Sequence, residues 1–228
     1  MTTSTLEKNG VGQCKRCGTC CLKGGPALHE EDQHLVENGQ IALKDLFTIR
    51  QGEPAYDNVT GDIQPAETDI IKISAEPGQD PACRFYQYVR SECAIYAHRP
   101  IECRVLQCWD PQPLIRLYHH RRLTRRHLLS KIDGLWDLVR DHHSTIDYGR
   151  IESLADSIKK RRGHEPAQRQ LLELIRYDQS LRAATRERTG YDTGMLSFLL
   201  GRPLAGTIRL FRLRLVRKGC EYTLEPHM

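Results

Sequence analysis

No stretch of this 228-residue chain is apolar for anything like the ~20 residues a helix needs to cross a membrane. The first thirteen residues, MTTSTLEKNGVGQ, are polar and lack the apolar core of a secretion signal. These two absences lead to the expectation of a cytosolic protein without membrane association. Internal repeats and low-complexity segments are missing as well. Aromatic residues are few, and the length suits one or two domains with a core large enough to need no covalent staples.

Cysteine is what the chain does have. Eight of its nine cysteines fall into two groups, C-x2-C-x2-CC at Cys14, Cys17, Cys20 and Cys21, and C-x9-C-x9-C-x4-C at Cys83, Cys93, Cys103 and Cys108. In a reducing cytosol so dense a pattern points to metal binding or catalysis before disulfides. Charge divides the chain in the same place. Residues 1–110 carry 11 Lys and Arg against 16 Asp and Glu, a net of −5, and residues 111–228 carry 23 against 13, a net of +10. The organisation expected is therefore a cysteine module over 11–110 and a basic, mainly helical region over 111–228 packed against it.

Residues 14–25 read as a loop, broken by Gly18, Gly24, Gly25 and Pro26. A short helix is expected over His29 to Val36. "LFTIR" and "DIIKIS" read as short strands with turn residues Asn58 and Gly61 between them, and Arg84 to Val89 as a further strand. Pro100 suits the first turn of a helix carrying Cys103. Three amphipathic helices follow: Leu128, Ile132, Leu135 and Val139; Ile151, Leu154 and Ile158; Leu171, Leu174, Ile175 and Leu181. Pro166 suits the start of the third and Gly190 its end. Beyond Pro203, alternation through Arg212 to Leu215 and a turn near Gly219 predict a terminal hairpin. The fold class is α+β: an irregular cysteine-rich module with short strands, then a mainly helical half ending in a hairpin.

Eight thiolates are the count two metal sites need. A C-x2-C pair lets the chain fold back and present both sulfurs to one ion, and tetrahedral zinc is the simplest acceptor. C-x2-C-x2-C with a distant fourth cysteine equally suits an iron–sulfur cluster such as [4Fe-4S]. Adjacent Cys20 and Cys21 are expected to point apart, so that one of them serves a second site or stays unligated. Lys15, Arg16, Lys23, Arg84, Arg99 and Arg104 lie near in sequence, where cations lower thiol pKa and favour the ligating form.

"CKRCGTCC" followed by "CAIYAHRPIECR" resembles the CxxCxxCC cysteine-cluster family, YkgJ-type bacterial proteins regarded as zinc- or iron-chelating. The likeness spans about residues 11–108. It implies Cys14, Cys17, Cys20 and Cys21 as the first ligand group and places Cys93, Tyr96, Arg99, Pro100 and Cys103 on the second motif; Cys83 and Cys108 fit it more loosely. Distant relatives with similar clusters are flagellin lysine methylases, so the resemblance extends to a redox or catalytic iron–sulfur protein acting on a protein substrate. No methyl-donor motif is evident in this chain.

Within the second motif, Tyr96 is placed to pack over the site, Arg99 to offset thiolate charge and Pro100 to fix the turn before Cys103. The pairs His119–His120 and His142–His143 read as surface residues, since neighbours on a helix diverge by ~100° and chelate poorly. His98 is a reserve ligand, and Cys220 a lone apolar residue outside the site. "RRLTRRH" at 121–127 raises phosphate contact, hence a third reading as a zinc-stabilised nucleic-acid-binding module. With few aromatics and no helix-turn-helix or finger pattern, nucleic acid is disfavoured. An unidentified protein partner stays open.

Overall fold

The computed structural model of the chain describes residues 16–75, 81–160, 165–219 and 221–227; Cys14 and Cys220 lie outside them. After a single 3-10 turn at Cys21–Lys23, the chain makes a second 3-10 turn and the helix α1 (Gln33–Glu37). It continues through β1 (Leu46–Ile49), β2 (Pro54–Tyr56), β3 (Ile63–Pro65) and β4 (Ile70–Ile73). β1 pairs antiparallel with β4, matching Leu46 with Ile73 and Thr48 with Ile71. Leu46, Thr48, Ile71 and Ile73 are buried. Because side chains alternate along a strand, Phe47, Ile49, Ile70 and Lys72 must occupy the other face. That second face lines the cavity described below.

The chain on either side of the sheet is tied to it. Leu28 N–H donates to Ile71 O at 2.8 Å and Ile73 N–H to Pro26 O at 3.0 Å, so the segment leaving the cysteine loop runs along β4. β2 and β3 form a separate small hairpin that leaves Tyr56 60% and Ile63 65% exposed.

The expected strand at Arg84 to Val89 shrinks to β5 (Tyr86–Gln87), paired with β6 (Glu92–Cys93). A turn over 88–91, with Ser91 at φ 52°, doubles the chain back and swings Cys93 beside Tyr86. α2 (Ile101–Val105) begins where expected, with Pro100 capping it. α3 (Gln112–Leu117) follows.

The first expected long helix is divided into α4 (Arg125–Leu129) and α5 (Leu135–Thr145). Gly134, at φ 78°, holds a left-handed conformation that ends any continuous helix between Leu128 and Val139. The other two helices stand as α6 (Tyr148–Lys160) and α7 (Glu165–Thr189), followed by α8 (Thr193–Leu199) and α9 (Leu204–Thr207). The hairpin β7 (Leu213–Lys218) and β8 (Glu221–Pro226) closes the chain as expected.

Two buried clusters hold these parts together. In the first, Leu46, Ile71 and Ile73 pack with Leu28, Leu35, Leu129, Val139 and the α8 residues Leu196, Phe198 and Leu199. The Thr48 hydroxyl donates to Phe198 O at 2.7 Å, fixing α8 to the core face of the sheet. In the second, Ile151, Ala155 and Ile158 of α6 meet Leu171, Leu174 and Ile175 of α7, with Phe211, Leu213 and Leu224 from the hairpin region. Both helical sets follow the three-to-four-residue spacing of an amphipathic face. Among the described residues, no helix is long and apolar enough to cross a membrane.

Candidate metal centre

The seven described candidate cysteines reach one place. Cys17, Cys20, Cys21, Cys83, Cys93, Cys103 and Cys108 all line a single cavity of about 860 Å³. None is in a disulfide. Cys83 is buried; Cys20, Cys21, Cys93 and Cys103 are half-buried; Cys17 and Cys108 are exposed. His98, the reserve ligand, is exposed and does not line the cavity.

Local structure explains the convergence. Cys83 N–H donates to Cys21 O at 2.8 Å, joining the two cysteine groups through the backbone. Tyr86 N–H donates to Cys83 O at 2.9 Å and Ala94 N–H to Phe85 O at 2.8 Å, so the tight β5–β6 hairpin carries Cys93 to the same wall. Gly18, at φ 78°, lies directly beneath the Tyr86 ring, where any added Cβ would collide with the phenol. The cysteine loop therefore depends on a residue without a side chain at that point.

Cys103 arrives on α2, which is clamped from below. Ile101 N–H donates to buried Asp32 Oδ1 at 2.8 Å. The Glu102 carboxylate accepts from Ala27 N–H at 2.8 Å and from Arg122 at 2.9 Å, and lies 3.3 Å from His29 Nε2. Burial works against the Glu102 charge, yet His29 and Arg122 hold its pKa below the usual carboxylate range.

Cys20 and Cys21 do not point apart. Their sulfurs lie near enough for each to shift the ionisation of the other. Cys20 has helical backbone angles (φ −70°, ψ −38°) and leads directly into the 3-10 turn. Successive side chains there diverge by ~120° instead of the ~180° of an extended strand, close enough for neighbouring sulfurs to meet. That proximity favours the Cys20 thiolate, aided by the Arg99 charge, and opposes ionisation of Cys21. A contact with the Thr19 hydroxyl, 3.3 Å away, lowers the pKa of Cys17. Burial raises Cys83, Cys93 and Cys103, and for Cys103 the nearby Cys83, Cys20 and Cys93 add to the rise.

Cations complete the wall. The Arg99 guanidinium lies 3.7 Å from the centre of the Tyr96 ring and the Arg16 guanidinium 4.0 Å from it. Tyr96 thus packs at the site through its ring, as expected, and serves as a platform for positive charge. Sequence reasoning passed over Lys72, Glu102 and Tyr86. The signal for Lys72 was available: it is the one charged residue of "IIKI", at a position opposite in phase to the core-facing isoleucines.

The other expected sites divide differently. His119 and His120 are exposed, but His142 is 1% exposed. It shares the inward face of α5 with Val139, where Arg50 donates to its Nδ1 at 2.8 Å and its Nε2 meets Asp178 Oδ1 at 2.8 Å. In "RRLTRRH", Arg121 pairs with Glu30 and Glu31, Arg122 with Glu102, and buried Arg125 with Asp69. Three of its four arginines are thus taken up by carboxylates of the same chain.

Thiol is the softest donor a protein offers, and a set of this size suits zinc or iron rather than calcium or magnesium. Among the described residues, no three or more His, Cys, Asp or Glu side chains form a ready-made metal site. What they form is a set of thiols lining one cavity, and the class of protein so defined is a cysteine-cluster module. Residues 13–122, just under half of the chain, match the model of the CxxCxxCC family, described as "Putative zinc- or iron-chelating domain". No curated protein and no solved structure matches the chain.

Proposed function

We propose that the cavity holds zinc or iron through thiolates drawn from both cysteine groups, with Cys20, Cys21, Cys83, Cys93 and Cys103 at its heart, Cys17 and Cys108 as outer donors, and Cys14 as a further donor from the same motif. The observation that carries this reading is the arrival of seven cysteines, from positions more than sixty residues apart in sequence, on one cavity wall. A bound cation would reverse the thiol electrostatics, since coordination favours the deprotonated sulfur that burial now opposes. Zinc would supply a closed structural link between the two groups; iron, alone or as a sulfide cluster, would add electron transfer. Arg99 offsets the charge of Cys20 and Cys93. Unpaired thiols in such number suit a reducing cytoplasm.

Anaerobic purification with metal analysis, sulfide analysis and a visible spectrum tests the reading. Stoichiometric colourless zinc or brown iron supports it, and Cys20→Ser with Cys103→Ser should abolish retention of either. A metal-free protein whose clustered cysteines titrate as disulfides would refute it.

A further inference from the structure

The cavity is much larger than an ion requires. Four sulfurs at ~2.3 Å from one metal fill a corner of it. Its volume of about 860 Å³ falls within the roughly 300–1,000 Å³ range of small-molecule sites. The thiols, moreover, line only part of it. The outward face of the β1–β4 sheet supplies Phe47, Ile49, Ile70 and Lys72, and the exposed β2–β3 hairpin adds Tyr56.

Within that apolar wall the charges are unequal. Arg122 is neutralised by Glu102 at 2.9 Å and Arg202 by Glu53 at 2.7 Å, while Arg99 rests on the Tyr96 ring. The Lys72 ammonium makes no hydrogen bond or ion pair among the described residues. Glu102, the carboxylate whose charge it feels most, already engages Ala27, Arg122 and His29. With Glu102 already engaged by other groups, the desolvated Lys72 ammonium in this wall has no ion-pair partner of its own among the described residues, which is costly, and part of that cost is recovered when an anion arrives.

We infer that this part of the cavity binds a small organic monoanion, an apolar carboxylic acid whose carboxylate meets Lys72 and whose body lies against Phe47, Ile49, Ile70 and Tyr56. The Lys72 ammonium calls for one negative charge, exposed Lys23 being a further cation of the lining without an ion pair among the described residues, and the surrounding wall calls for hydrocarbon or an aromatic ring. The apolar wall does not depend on a metal, and the Lys72 charge, though it feels Cys83 and Cys103 as well as Glu102, is ion-paired to none of them.

The test uses the full chain with the metal it retains on purification, titrated calorimetrically with octanoate and with octanamide. A charge-assisted hydrogen bond predicts that octanoate binds about tenfold tighter or more. Lys72→Met should erase that preference while leaving metal content unchanged, and Lys72→Arg should keep it. Equal binding of acid and amide, no binding of either, or a preference that survives Lys72→Met overturns the inference. If Lys72→Met does not fold, the wild-type and Lys72→Arg comparisons still decide. Loss of metal in Lys72→Met, with no acid preference in the wild type, would assign Lys72 to the thiolates and refute the inference while chelation stands. A metal-free protein that prefers octanoate would refute chelation alone.

Discussion

Two polar regions of this molecule, both lined by groups that ligate metals elsewhere, are built in opposite ways. Around His142 nearly every polar atom is satisfied. Asp178 accepts from His142, twice from Arg182 at 3.0 Å, and from Leu204 N–H at 2.9 Å, while Arg50 donates to His142 and to Ile146 O. Arg50 Nε is the exception, buried without a partner. Because Arg50 only donates, His142 Nδ1 must accept and its Nε2–H must face Asp178, so the ring is neutral. Around the cysteines partners are fewer: the Thr19 hydroxyl beside Cys17, and the Phe85 and Ile95 backbone N–H groups that favour the Cys83 and Cys93 thiolates. A saturated network stabilises the fold, whereas a set of donors short of partners waits for a ligand.

The comparison predicts that the two regions fail differently. Asp178→Asn would take the buried carboxylate away from Arg182 and His142 and should cost about 3–5 kcal/mol. Chemical denaturation measures that loss, and metal bound per folded molecule should not change. A fall in bound metal without a fall in stability would erase the distinction between the regions.

His142→Gln is expected to cost less, about 1–3 kcal/mol at pH 7, by removing one ring between two partners. Its signature is in the pH dependence. Burial pulls the His142 pKa down to about 4, below the ordinary 6.5 of the unfolded chain. The unfolded state therefore takes up the proton first, and acid favours unfolding. Stability from this residue is fully present above pH 6.5 and declines towards pH 4, by on the order of 3 kcal/mol. The wild-type advantage over His142→Gln should shrink across that window, and an advantage constant with pH would contradict a neutral buried ring.

The smallest effect belongs to the cysteine wall. Arg99→Gln removes a charge that favours the Cys20 and Cys93 thiolates and should weaken metal retention several-fold, with stability changed by less than about 1 kcal/mol. Competition with a chelator measures it, and unchanged retention would remove Arg99 from the site.

Much of the fold could be read from local pattern. "LFTI", "IIKI" and the Arg212 to Leu215 alternation carry strand periodicity, and the 151–158 and 171–181 runs carry a helical face. Arg84 to Val89 misled because aromatic and β-branched residues signal a strand without disclosing where it turns. The split at Gly134 needed a backbone angle, which apolar spacing does not contain. For the site, residue identity went far, since the two cysteine groups stand out in sequence and their described members line one cavity. The meeting of Cys20 with Cys21 depended on a tight turn unseen in the motif. The burial of His142 depended on Asp178 and Arg50, both remote in sequence. Lys72 was hidden because nothing local shows that the outer face of its strand is a cavity wall.

The short backbone bond from Cys83 to Cys21 has a kinetic meaning. Sixty residues of flexible chain would leave two thiol groups dilute with respect to one another, and an ion would have to close that loop itself. Here the β1–β4 sheet and this bond close it beforehand, raising the effective concentration of one thiol group at the other. An ion bound there would be met by local rearrangement of sulfurs on a frame that is already folded.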